Sequence, residues 1–313
     1  MIDVSISIVN FNQCALLERC LKSISEGSEG LNVEVFVVDN ASQDGSVEMI
    51  RERFPWVNLI VNERNRGYAA ANNQAIKLSR GRYVLILNND VFILPGAMQA
   101  MVKFMDEHRR VGALGPRVLN PDGTLQRSCS AFPTLWDLLF RALYLDKLSS
   151  RNRILGAHLM GYWEHNSLRE VDVVSGCCLL IREEAIEQVG LMDERFFFYA
   201  EETDWCHRIK RSGWQIYFLP DAEIIHYGGQ STQCHALAMH TELFRSRLRY
   251  FDKYYGRCGY FAARFLSILQ VGLRLLYYGL SRPFLSRHRR EYADRKIDLC
   301  YPTLRWLLGI EPR

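Results

Sequence analysis

The chain has 313 residues, 48% of them hydrophobic, and a formal net charge of +4. That composition supplies a sizeable core and excludes a disordered or fibrous chain, and the length suits one large domain or two smaller ones. The charge is uneven: from residue 242 onward there are 15 Lys and Arg against 6 Asp and Glu, so a tail of net +9 follows a front part of net −5.

In chain order, "VSISIVN" (4–10) alternates apolar and small polar residues and predicts a strand that begins at once, with no basic leader region and no cleavable apolar run before it. "QCALLERCLKSI" follows with Leu17, Cys20, Leu21 and Ile24 at helical spacing. "VEVFVVDN" (33–40) is a second, more buried strand, "GSVEMIRERF" a second helix and "VNLIV" (57–61) a third strand. "GYAAANNQAIKLS" predicts a helix of small residues. "YVLILNN" predicts a fourth strand, and Pro95 opens a helix striped with Met98, Met101, Val102 and Met105. "NPDGT" (120–124) is a hairpin turn. Residues 130–168 are irregular apart from an amphipathic helix around "TLWDLLFRALYLDKL". "VDVVSGCCLLI" (171–181) predicts a strand broken by Gly176, "REEAIEQVG" a short helix, and "MDERFFFYAEETDWCHRIKRSG" a loop feeding a helix. "WQIYFLP" and "AEIIHYGG" are two more strands.

Strand and helix alternating over about 100 residues imply a mostly parallel sheet covered on both faces, an α/β fold. Ligands of such sheets bind beyond the carboxyl ends of the strands. Those ends are polar in every case: Asn10 and Asn12, Asp39 and Asn40, Asn62 leading to Asn65, Arg66 and Gly67, and Asn88, Asn89 and Asp90. Neither the G-x-G-x-x-G fingerprint nor a P-loop follows the first strand.

An acid at the end of "VLILNNDVFIL" is costly unless it is paired, exposed or bound to metal. Oxygen ligands at a sheet edge suit Mg²⁺ or Mn²⁺, held by one or two carboxylates and by substrate phosphates. The competing reading has Asp90 capping the helix at Pro95. Asp39 is either the acceptor for the N3–H of a uracil or thymine ring or a turn residue. The cluster "EETD" (201–204) offers like charges that raise one another's pKa, useful in a general base, or simply the acidic first turn of a helix. His226 is a candidate metal ligand, with a structural histidine as the alternative. The nine cysteines show no framework spacing and read as reduced, cytosolic thiols.

Taken in order, "VSISIVNFN", "VVDNASQDGS", "NRGYAAANNQAI", "LILNNDVFILPGA", "VSGCCLLIREEAI", "MDERFFFYAEETDWCHRIKRSGW" and "HYGGQST" resemble the glycosyltransferase family 2 enzymes of the GT-A fold, particularly the rhamnosyltransferase-like branch. The resemblance covers roughly residues 4–232. It implies a GT-A-type, Rossmann-like nucleotide-diphospho-sugar transferase domain over 1–235. The nucleotide-sugar half would run to about 115 and the acceptor half over 116–235, with a helical basic extension over 236–313. It implies that Ser7, Val9 and Asn10 line the nucleotide pocket and that Asp39 reads the base. Asn65, Gly67, Tyr68 and Asn72, with Asn88 and Asn89, would face the nucleotide-sugar. Asp90 would bind the metal with His226 as a second contact. Glu202 would deprotonate the acceptor hydroxyl, ahead of Glu201 and then Asp204. The implied donor is a dTDP- or UDP-sugar, with dTDP-rhamnose favoured, and the acceptor a saccharide or polyprenyl-linked saccharide. Two departures stand out: relatives often have Asp-x-Asp where this chain has Asn88-Asn89-Asp90, and the base is often the Asp of a Glu-Asp pair. The rival readings are a sugar-1-phosphate nucleotidyltransferase, whose glycine-rich basic loop is missing, and an inactive sugar-nucleotide or glycan-binding module.

In the tail, "FAARFLSILQVGLRLLYYGL" (261–280) places Arg264, Ser267, Gln270 and Arg274 within about 120° of arc. Two arginines argue against a spanning helix. The segment reads as an interfacial amphipathic helix followed by basic "SRPFLSRHRR", bringing the enzyme from the cytoplasm to the inner face of the membrane. The alternative is a helix packed on the catalytic domain. No nucleic-acid motif accompanies the charge.

Overall fold

In the computed structural model, residues 1–148, 152–228 and 236–310 are described. The second half of "HYGGQST" and the 235/236 boundary lie outside them. Contacts divide the chain into one unit of residues 1–132, 163–197 and 201–231 and a second of 133–162, 198–200 and 232–313.

The first unit is built on one sheet. β1 (Val4–Asn10) lies between β2 (Val33–Asp39) and β4 (Tyr83–Asn88), parallel to both, and β3 (Asn58–Val61) extends β2 on the outside. The polarity then changes. β11 (Cys178–Arg182) inserts antiparallel between β4 and β6 (Val111–Leu119), and β12 (Gln215–His226) runs parallel to β6. β5 (Val91–Ile93) closes the far edge against β12. The order is therefore β3-β2-β1-β4-β11-β6-β12-β5.

Three of the predicted strands resolve differently. "WQIYFLP" and "AEIIH" form the single strand β12, whose register with β6 shifts between Leu219 and Glu223. Pro220 sits in that shift, where its missing N–H breaks no ladder bond. "VDVVSGCCLLI" is split the other way. β10 (Val173–Val174) pairs with β8 (Cys129–Ser130) in a small separate sheet, while β11 joins the main one. The "NPDGT" turn joins β6 to β7 (Leu125–Gln126) as expected, closed by Asn120 N–H donating to the Thr124 carbonyl.

The period-two pattern decides which helix covers which face. Ile6 and Ile8 of β1 and Val35 and Val37 of β2 meet Leu17, Cys20, Leu21 and Ile24 of α1 (Cys14–Gly27) in the main core. α4 (Ala97–Glu107) adds its methionine stripe to the same core. On the opposite face Phe36 and Val38 pack on Ala71 and Ala75 of α3 (Tyr68–Ile76), whose small residues allow a close approach. The alternate β1 positions on that face are Ser5 and Ser7. Both are fully buried and hydrogen-bonded, Ser5 to Glu34 at 2.6 Å and Ser7 to Asn72 at 2.7 Å. All eight cysteines among the described residues are free thiols; Cys234 lies outside them.

The second unit is helical. α5 (Leu135–Ala142) opens on a Thr134–Asp137 capping box and is followed by α6 (Leu145–Leu148). A long helix, Ala236–Ser281, is broken at Gly256, where φ is 67° and ψ −168°. A second, Arg287–Leu308, folds back along it. Among the described residues they are the ninth and tenth helices, α9 and α10, after α7 (Glu183–Val189) and α8 (Glu201–Arg211) of the first unit. Ser267 and Gln270 of α9 face inward and hold the Arg247 guanidinium at 3.4 and 2.8 Å. The apolar face turns outward, with Phe261, Phe265, Leu276, Tyr277 and Leu280 exposed. No helix among the described residues is long and apolar enough to cross a membrane.

Candidate active site

The parallel register sets Asn10 directly opposite Asp39 at the ends of β1 and β2. Asp39 is fully buried, and its two oxygens accept from the Asn10 side chain at 3.0 Å and the Ser42 backbone N–H at 2.8 Å. Asn10 in turn accepts from Asn89 at 2.8 Å, so one buried amide ties three strand ends together. Val9, one residue earlier, lies between Val38 and Asn88.

Beside this network Asn65 makes a local turn, accepting from the Gly67 N–H at 2.9 Å. Gly67 then takes φ 83° with the Phe197 carbonyl and ring so close that an added Cβ would meet them at 2.6 Å. Only glycine fits that place. The turn launches α3, whose Asn72 accepts from Ser7 and donates to the Tyr68 carbonyl at 3.0 Å.

Asp90 meets His226 across the far side of the sheet. Pairing of β12 with β5 sets His226 against Val91, and the Tyr227 N–H donates to the Asp90 carbonyl at 3.0 Å. Gln126 Nε2 donates to Asn120 at 2.8 Å, which turns Gln126 Oε1 toward His226 Nδ1, 2.5 Å away. That contact places the imidazole proton on Nδ1. Nε2 then faces Asp90 Oδ1 at 3.2 Å, with the Asn88 amide nitrogen at 3.4 Å. Two electron-rich atoms at that distance call for a proton or a cation between them. Neighbouring ligands on an octahedral ion with bonds of about 2.1 Å are about 3 Å apart, so the pair fits two positions of such a shell. Among the described residues no cluster of three or more His, Cys, Asp or Glu could complete it. Phosphate oxygens and water are the usual remaining ligands.

The three acids of "EETD" fall in the first turn of α8 and have different surroundings. Asp204 is fully buried and ion-paired to Arg208 at 3.0 Å, and Arg208 also donates to the carbonyl of Val189, the last residue of α7, and to that of Leu191 beyond it. Glu201 is buried. Glu202 accepts from the Thr203 hydroxyl at 3.0 Å, and burial raises its pKa above the ordinary glutamate value. The sequence suggested like-charge repulsion as the cause; desolvation is the dominant one.

Gly176 connects the two halves of the site. A Cβ built there would lie 3.4 Å from Glu202 Cβ and 3.9 Å from the Tyr68 ring. The Tyr68 hydroxyl reaches Asn88 Oδ1 at 2.8 Å and the Gly176 carbonyl at 3.0 Å. Burial and the carboxylate of Glu201 push the Tyr68 phenol well above its ordinary pKa, so it stays a donor. A continuous path thus runs from Glu202 past Gly176 and Tyr68 to Asn88, His226 and Asp90. Asn88, the amide in place of a carboxylate, accepts from Tyr68 and faces His226. Gln126, Ser42 and Gly176 were not foreseen as site residues. Gly176 carried a signal as a break in an apolar run, whereas Gln126 sits in a stretch with no pattern.

The glycosyl transferase family 2 model matches residues 5–190. Over 227 residues the chain is 34% identical to the N-acetylglucosaminyl-diphospho-decaprenol L-rhamnosyltransferase of Mycobacterium tuberculosis, covering 69% of this chain and 73% of that one. Over 224 residues it is 30% identical to the low-salt glycan biosynthesis hexosyltransferase Agl10 of Haloferax volcanii, covering 68% and 64%. The solved mannosyltransferase PcManGT of Pyrobaculum calidifontis, in complex with GDP-Man and Mn²⁺, aligns with a TM-score of 0.59 at 17% identity, over 97% of this chain and 87% of that one. That likeness bears on the fold, which is of the GT-A type with a helical C-terminal region. The chain belongs to glycosyl transferase family 2 and is a glycosyltransferase.

Proposed function

We propose that the chain moves a sugar, with inversion and with the help of a divalent cation, from a nucleoside-diphosphate donor to a saccharide or polyprenyl-linked saccharide. Residues 1–235 would form the transferase domain and 236–313 its basic helical extension. The observation that carries the reading is the Asp90–His226 pair, Oδ1 and Nε2 3.2 Å apart, joined through Asn88 and Tyr68 to the raised-pKa carboxyl of Glu202.

In this reading Asp39 accepts the N3–H of a uracil or thymine ring; each of its bonded oxygens keeps a second lone pair for that purpose. Ser7, Val9, Asn10, Asn65, Gly67, Tyr68 and Asn72 shape the pocket, and Asn89 holds Asn10 in place. Asp90 and His226 would hold Mg²⁺ or Mn²⁺, with the remaining ligands left to phosphate and water. A bound cation of that kind neutralises the charge that develops on the departing nucleoside diphosphate. Glu202 takes the proton of the acceptor hydroxyl as its oxygen bonds to the anomeric carbon, while the bond from that carbon to the phosphate oxygen breaks and its electron pair leaves with the nucleoside diphosphate. One displacement with one base inverts the carbon. Glu202 suits the role better than Asp204, whose carboxylate is committed to Arg208, and Glu201 stands beside it as the second candidate.

The Mycobacterium relative supports rhamnose as the sugar and a lipid diphosphate in the acceptor, and the mannosyltransferase solved with Mn²⁺ supports the cation. The donor is then dTDP-rhamnose ahead of a UDP-sugar, and the enzyme works in the cytoplasm at the inner face of the membrane. Transfer assays on wild type and Glu202→Gln, alongside donor titrations, test the mechanism. Turnover lost with donor affinity kept is the expected result; full turnover in Glu202→Gln would remove Glu202 from the role.

A further inference from the structure

The second unit contains a cavity of about 1030 Å³ that the transfer site does not use. It straddles the break at Gly256. Arg245 and Arg249 line it before the break, Arg257, Tyr260 and Arg264 after it, and Trp306 at the end of α10 forms the opposite wall. Arg245 and Arg249 share one carboxylate, Glu242, at 2.7 and 3.0 Å. Arg264 spends one nitrogen on the Leu307 carbonyl at 2.7 Å, which caps the α10 end that would otherwise repel an anion. Neither Arg257 nor Arg264 has an acid partner among the described residues. Among the described residues Asp252 is the only acid in the lining and Glu242 lies behind it, so four guanidinium groups face two carboxylates there.

The cavity opens beside an apolar stripe. Phe261 lines it and is 55% exposed, and Phe265, Leu276 and Leu280, 65%, 58% and 66% exposed, continue along the same 100° of the helix surface. A localised surplus of two positive charges beside a row of exposed apolar side chains matches an amphiphile with a doubly charged head. A free anion would have no use for the stripe, and a diffuse anionic surface would have none for a concave cluster of arginines.

We propose that this cavity binds the diphosphate of a prenyl-linked lipid whose chain lies in a bilayer, with Phe261, Phe265, Leu276 and Leu280 seated in the same apolar layer. The assignment rests on the lipid-linked acceptor class proposed above and concerns the diphosphate of that acceptor. Guanidinium groups suit the task because they bind phosphate oxygens in pairs and remain charged.

The test is co-sedimentation of the full chain with phosphatidylcholine vesicles. These carry either a prenyl-diphosphate-linked sugar or enough phosphatidylglycerol to give the same surface charge. The expected result is binding at least about tenfold tighter to the diphosphate vesicles, the worth of one charge-assisted hydrogen bond or more. Arg257→Ala should remove that preference and Arg257→Lys should restore part of it. Phe265→Ser should weaken binding to both kinds of vesicle. Arg257 is exposed and makes no hydrogen bond or ion pair among the described residues, so its variants should melt with the wild type. Equal binding to both vesicles would overturn the proposal in favour of diffuse charge attraction. Inorganic diphosphate binding as tightly as the lipid would overturn it in favour of a soluble-anion site. Vesicle binding does not depend on turnover, so its failure is separable from a failure of the transfer mechanism, which donor titration reads.

Discussion

Glu202 is asked to be both buried and basic, and its stability effect has a definite sign. Its folded pKa is raised, so its contribution to stability is fully present below the unfolded value of 4.5 and lost as pH rises through the folded value. Glu202→Gln should therefore melt at a higher temperature than wild type at pH 7, the difference closing as pH falls below that unfolded value. Transfer should drop by about 10²–10⁴-fold, the usual worth of a general base. A pH series of thermal melts reads the first effect, and a variant less stable at pH 7 would contradict it. Wild-type kcat/KM should rise with pH through the raised value. Gln126 matters through His226: Gln126→Leu removes the acceptor that keeps the proton on Nδ1, and should weaken metal-dependent donor binding by about 10–100-fold. The sequence marked the "EETD" acids as a group but not their separate duties. Arg208, four residues after Asp204, was the available clue, since that spacing pairs side chains on a helix.

At the scale of elements, strand ends were the most legible feature. Apolar runs that stop on Asn10, Asp39 and Asp90 are hard to explain unless those ends face a ligand, and β1, β2 and β4 do end together on one edge of the sheet. The glycine before α3 was legible as part of a motif but not in its reason, which is the Phe197 backbone and ring pressed against it. Gly67→Ala should destabilise the first unit by more than about 1 kcal/mol through the positive φ alone, with the clash adding to it. Chemical denaturation would measure this, and an unchanged midpoint would refute the packing argument. The division of "VDVVSGCCLLI" between two sheets could not be read, because an apolar run looks the same whichever strand it pairs with. The polar stripe of α9 was read correctly as a stripe. Its direction was not legible, because what holds Ser267 and Gln270 inside is Arg247, twenty residues back on the same helix, whose pKa burial lowers to about 9. Gln270→Ala should cost the second unit about 1.5–3 kcal/mol, the worth of a hydrogen bond to a charged group, and a melt no lower than wild type would contradict it.

For the whole molecule, the sequence separates an acidic front from a basic rear, and the fold gives each a chemistry. The front gathers carboxylates and amides along one sheet edge, where a nucleotide diphosphate and its cation would sit. The rear gathers arginines and exposed aromatic residues on helices. The most direct test of the account is a calorimetric titration of the full chain with dTDP-rhamnose, UDP-glucose, UDP-galactose, UDP-N-acetylglucosamine and GDP-mannose, each with and without Mn²⁺, on wild type and on Asp90→Ala. The account predicts that a pyrimidine donor binds wild type only with the cation and that Asp90→Ala loses this binding. Equally tight binding without Mn²⁺, or in Asp90→Ala, would contradict the role given to the Asp90–His226 pair.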